Sequence, residues 1–151
     1  MWLTDWFKRA DETRQSPEPR LKILALSMSL DDRLLLEQLA KPRHWTVRFT
    51  HSPQEGFTLA TQNHFEVVLC DRNQYGYPWR EVIDRLASIS PESCILLVSP
   101  VKEDYLWRDV LQLGGYDVLP RPLRESAVLQ AIDAVVRFVS PSRDNALSHS
   151  K

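Results

Sequence analysis

The chain has 151 residues, enough for one domain with a real core and two short tails. Its 43% hydrophobic and 26% charged residues are those of a soluble globular protein, and 19 basic against 20 acidic side chains leave a net charge of −1, without the basic excess of a dedicated nucleic-acid binder. No apolar run approaches the roughly 20 residues of a membrane span and the opening lacks a signal-peptide layout, so a cytoplasmic location is expected.

Residues 1–20 divide into an aromatic opening, with Trp2, Leu3, Trp6 and Phe7 at helical spacing, and a polar linker from Asp11 to Arg20. The opening is either a docking element or a stub packed on its own domain. From Leu21 the chain alternates apolar strands with amphipathic helices. Leu21–Leu26 is the first strand, and Asp31 or Asp32 can cap a helix carrying Leu35, Leu36 and Leu39 and ended by Pro42. Trp45, Val47 and Phe49 alternate with Thr46 and Arg48 as a strand with one wetter face. Ser52-Pro53-Gln54-Glu55 is a capping box with proline at the first helical position, and Phe57 and Ala60 follow on that helix.

Phe65–Cys70 is the third strand, and Trp79, Val82, Ile83 and Leu86 mark the next helix. Cys94–Val98 is apolar throughout, as in the middle of a covered parallel sheet. Leu106, Val110, Leu111 and Leu113 form a helix stopped by Gly114-Gly115. Tyr116–Leu119 is a short fifth strand, and Leu129, Ile132, Val135, Val136 and Val139 give a last helix. Residues 140–151 are polar, contain Pro141 and are expected to be a disordered tail. Five strand-helix units over residues 21–139 predict a doubly wound, five-stranded parallel α/β sheet, flavodoxin-like in order 2-1-3-4-5, with helices on both faces.

In that order Cys70 ends one strand and Cys94 begins its neighbour, too far apart along the strands for a bridge, so both read as buried reduced thiols. His44, His51, His64 and His149 are scattered without ligand spacing, which disfavours a zinc site. No glycine-rich phosphate loop follows the first strand and no nucleophile-histidine set converges, so the chain is not expected to be an enzyme.

Ligand chemistry in such a sheet collects at the carboxyl ends of the strands, here Ser27 and Met28, Asp71, Ser99 and Pro100, and Arg121 with Pro122. Three stretches at these ends, Val67-Val68-Leu69-Cys70-Asp71, Leu97-Val98-Ser99 and Gly114-Gly115-Tyr116-Asp117-Val118-Leu119-Pro120-Arg121-Pro122, make residues 21–139 resemble the receiver domain of two-component response regulators. The resemblance implies Asp71 as phosphoacceptor, and Ser99 and Arg121 as the groups touching the phosphoryl oxygens. It also implies Asp71 and the backbone carbonyl of Asn73 as Mg2+ ligands. Expected partners are a histidine kinase or phosphotransfer protein and a downstream protein target, with homodimerisation compatible. The resemblance also implies a partner surface at the fourth helix, fifth strand and fifth helix, where Trp107, Tyr116 and Val118 fall.

The departures carry as much information. The acidic pair that receivers place after the first strand is replaced by Ser27 and Met28, which weakens the expected hold on Mg2+. Reading Asp31 and Asp32 as that pair would shift the register by four residues, and helix capping is the commoner role of such acids. Arg121 stands where the family has lysine, and its planar fork suits direct pairing with Asp71. The alternative is therefore a phosphorylation-independent docking module held by an Asp71–Arg121 pair. Val118 offers no aromatic ring to swing between states. Tyr75, Tyr77 and Trp79 after the acceptor either form a contact surface with Trp107 or, for the tryptophans, cover the core.

Overall fold

The computed structural model describes residues 21–149 apart from 75, 101 and 102, with side chains as far as Arg137. The readings on residues 1–20, on Tyr75 and on residues 150–151 lie outside the described residues. Among the described residues ten elements alternate: β1 Lys22–Leu26, α1 Leu30–Arg43, β2 Thr46–Thr50, α2 Pro53–Gln62, β3 Val67–Asp71, α3 Trp79–Ile89, β4 Cys94–Ser99, α4 Asp104–Gln112, β5 Asp117–Pro120 and α5 Glu125–His149. The strands form one parallel sheet in the order β2-β1-β3-β4-β5, as the alternation predicts.

Strand side chains alternate between two cores. Ile23, Ala25, Val67, Leu69, Leu96 and Val98 pack against Leu36 and Leu39 of α1 and Val128, Ile132 and Val135 of α5. Leu24, Leu26, Val68, Cys70, Ile95 and Leu97 face the other way, against Phe57 of α2, Val82 and Ile83 of α3, and Leu106 and Val110 of α4. Burial on both faces explains why β1, β3 and β4 read as unbroken apolar runs. Val67 of β3 aligns with Cys94 of β4, and Cys70 aligns with Leu97, which keeps the two free thiols apart as expected.

The capping box at the start of α2 forms. Ser52 Oγ accepts the Glu55 N–H at 3.2 Å, while the Glu55 carboxylate reaches back to the His51 N–H at 3.2 Å. Gly56 then passes so close to the sheet that a Cβ there would lie 2.7 Å from the Leu26 side chain. Gly114 turns the chain after α4 with φ +98°, a conformation that glycine adopts without steric cost.

Three boundaries differ from the sequence expectation. The cap of α1 is Ser29, whose Oγ accepts the Asp32 N–H at 3.3 Å, so neither Asp31 nor Asp32 caps the helix. Pro42 lies inside the last turn of α1 and does not end it. Proline removes one intrahelical hydrogen bond and crowds the carbonyl four residues back, a disturbance confined to the last turn because the helix closes two residues later at His44, whose N–H meets the Ala40 and Lys41 carbonyls. The helical backbone of α5 runs to His149, so residue 139 marks the end of the apolar stripe and not of the helix.

Candidate functional site

The carboxyl ends of β1 and β3 border the crevice where the strand order reverses, the usual ligand position in an open α/β sheet. Asp71 closes β3 there with its side chain 3% exposed. Its Oδ1 accepts the Asn73 N–H at 2.8 Å, and its Oδ2 accepts from Nη2 of Arg121. Arg121 is positioned by its own backbone, which follows β5 and donates its N–H to the Ser99 carbonyl at 3.0 Å.

The same Arg121 Nη2 donates at 2.7 Å to Oδ2 of Asp32, whose side chain is 6% exposed. Two buried carboxylates thus meet on one nitrogen, close enough that a single cation touches both. The Arg121 side chain is 25% exposed, while its Nε–H is buried with no hydrogen-bond partner among the described residues. Two carboxylates against one guanidinium leave the cluster a formal charge short of neutral. Strand-end position alone did not mark Asp32. Helical phase does: it lies four residues before Leu36 and seven before Leu39, on the buried stripe of α1.

Ser27 and Met28 occupy the end of β1 but bring no ligand to this cluster. Ser27 takes a left-handed turn at φ 55°, donates its N–H to Thr50 and aims its hydroxyl at the His51 carbonyl 3.4 Å away, and Met28 is buried in the core under α1. The second carboxylate at this cluster therefore comes from the first turn of α1, in Asp32, and not from the end of β1.

A second arginine, which sequence reasoning did not single out, follows Asp71. Arg72 donates from Nη1 to Ser99 Oγ at 3.3 Å, and its Nη2 stands 3.8 Å from Glu103 at the start of α4. The hydroxyl of Tyr105 bonds Glu103, and that bond pushes the phenol's pKa up. Ser99 is so linked by side chains to the surface of α4. Next to Asp71, Gln74 is buried and its Nε2–H2 donates to the Asp71 carbonyl at 2.8 Å and the Leu26 carbonyl at 3.3 Å, tying β3 to β1. Burial, reinforced by the Asp71 charge, pushes the Cys70 thiol up to about 12, which leaves it an inert packing group.

The expected partner residues separate. Trp107 on α4 is 54% exposed and shares a cleft with Val118 of β5, whereas Tyr116 packs against the opposite core, under α5. Trp79 is buried in the core, and Tyr77 packs edge-on against Phe57 and donates to Gln54 at 3.1 Å. Neither joins Trp107 in one surface.

Solved structures of the same architecture are response-regulator receiver domains. The Vibrio cholerae chemotaxis protein CheY4 matches with TM-score 0.70 and 18% identity over 78% of this chain and 99% of that one. A two-component response regulator from Clostridium difficile matches with TM-score 0.73 and 16% identity, over 80% and 98%. The signal receiver domain of an HD domain-containing protein from Pseudomonas fluorescens matches with TM-score 0.71 and 17% identity, over 80% and 97%. The chain has the receiver fold. No protein-family profile and no curated protein sequence matches it. In this fold Asp71 and Asp32 meet on Arg121 at the strand-end edge, with Ser99 beside them through its carbonyl bond to Arg121.

Proposed function

We propose that this chain is a signal receiver that accepts a phosphoryl group on Asp71 from a histidine kinase or phosphotransfer protein and acts through protein contact. The observation that carries the reading is the convergence of Asp32 and Asp71 on one Arg121 nitrogen. It restores beside the acceptor the second carboxylate that Ser27 and Met28 fail to supply. Two buried carboxylates that share one cation suit a hard divalent ion, and Asp32, Asp71 and the Asn73 carbonyl would hold Mg2+ here. When bound, Mg2+ supplies charge neutralisation for phosphoryl transfer.

The chain's own groups do the rest. An Asp71 carboxylate oxygen attacks phosphorus as the donor imidazole leaves, forming an acyl phosphate. Arg121 then turns from the carboxylates to the new phosphoryl oxygens, with its unpartnered Nε–H a ready donor, and Ser99 contributes its hydroxyl.

A second reading rests on the same ion pair. If Arg121 never releases Asp71, the domain is a phosphorylation-independent docking module fixed in one conformation. Intact-mass measurement after incubation with acetyl phosphate and Mg2+ separates the two. A gain of one phosphoryl group in the wild type and none in Asp71→Asn supports acceptance, and no gain with any divalent metal supports the docking module.

A further inference from the structure

We infer that the aromatic opening of the chain, Trp2, Leu3, Trp6 and Phe7, docks as a short helix into the groove between α1 and the edge strand β2 of its own domain. The groove, about 270 Å3, is lined by Glu37, Ala40 and Lys41 of α1 and by Trp45, Val47 and Phe49. In the sheet β2 pairs only with β1, and Trp45, Val47 and Phe49 pack on the core of Leu36 and Leu39 while staying partly open to solvent. The guanidinium of Arg43 lies over Trp45 at 5.6 Å and that of Arg33 over Phe49 at 4.8 Å, so both rings are held in place before anything arrives. An apolar flank with fixed aromatic rings beside a sheet edge is a ready contact surface.

The path of the chain points to the occupant. The Leu21 carbonyl accepts the Thr46 N–H at 2.8 Å, so the chain enters the domain next to Trp45. The linker Asp11–Arg20 can reach about 33–36 Å when extended, whereas Trp45 to Phe49 spans about 13 Å. So short a tether holds the opening at about millimolar effective concentration, and a weak contact then suffices. Charge fixes the direction. On a helix Asp5 and Arg9 stand one turn apart beside the apolar stripe, as the exposed Glu37 and Lys41 do on α1. Laid antiparallel to α1, the opening sets Asp5 against Lys41 and Arg9 against Glu37. A turn and a half of helix is marginal alone and takes its stability from such packing. Nothing in this docking depends on phosphoryl uptake.

The test uses the full chain with a nitroxide on Thr4→Cys, on the polar side of the opening; the native thiols of Cys70 and Cys94 are buried. Paramagnetic broadening of the 15N-labelled amides reads which surface the label visits. Ala40, Val47 and Phe49 should broaden, while Ile83 and Val110, in the core on the other face of the sheet, should not. Trp6→Ala should abolish the broadening. Arg9→Glu should weaken it about threefold, and adding Glu37→Arg should restore it. Spin-labelled 14N chains mixed with unlabelled 15N chains should give none, because the contact lies within one chain. Sharp amides at the groove, broadening in the mixture, as docking on a second copy would give, or an Arg9→Glu loss that Glu37→Arg does not rescue would overturn the inference. None of these variants touches Asp32, Asp71 or Arg121, so failure here leaves the proposed function standing.

Discussion

Replacing Arg121 by Met keeps an apolar stem of similar reach and removes the one cation shared by Asp32 and Asp71. The two carboxylates are 6% and 3% exposed, so neither can turn to water for compensation. Breaking a fully buried ion pair costs about 3–5 kcal/mol, and because the Arg121 side chain is 25% exposed the lower end applies, about 3 kcal/mol. Asp32→Asn behaves differently, since it leaves one carboxylate facing one arginine and relieves a like-charge contact. Its cost should be a weakened hydrogen bond, about 1 kcal/mol, and Asp71→Asn should match it for the same reason. Urea unfolding followed by circular dichroism measures all three, provided the slope with denaturant stays constant. A loss in Arg121→Met no larger than in either asparagine variant would refute the two-carboxylate account of the cluster.

Gly56→Ala should destabilise by about 1–3 kcal/mol in the same assay, because its Cβ would press 2.7 Å from the Leu26 side chain in the middle of the sheet. Ser52→Ala removes the acceptor for the Glu55 N–H and should cost about 1 kcal/mol. The Cys70 thiol ionises at about 12 in the fold against an ordinary 9.0, so the unfolded chain releases its proton first as pH rises. Its contribution to stability is complete below pH 9 and declines above it, by about 1 kcal/mol at pH 10; Cys70→Ala should flatten that part of the curve of stability against pH.

The fold was legible because its signals are local and redundant. Runs such as Val67–Cys70 and Ile95–Val98 are apolar at every position, which only a strand covered on both faces requires. Ser52 and Glu55 marked the start of α2 by a mechanism that the structure reproduces. Asp71, Ser99 and Arg121 were legible for a related reason: each stands at the end of a strand, and the sheet carries strand ends to one edge. Asp32 was not. An acid in the first turn of a helix is stabilised by the helix dipole whichever way it points, so its presence there says little. Its spacing to Leu36 and Leu39 puts it on the buried stripe of α1, but the arginine it meets there lies 89 residues further along the chain, which spacing does not reveal. Arg72 was missed because its partners, Ser99 and Glu103, are brought to it by the β4–α4 connection, which no local pattern encodes.

The sharpest test of the site is a Mg2+ titration of the 15N-labelled chain, read at the amide of Asn73, which donates to Asp71. If Asp32 and Asp71 form one cation site, the wild type shifts saturably, Asp32→Asn needs about tenfold more Mg2+ to reach the same shift, and Asp71→Asn does not respond. A wild type and an Asp32→Asn variant that titrate identically would contradict the claim that these two carboxylates act together.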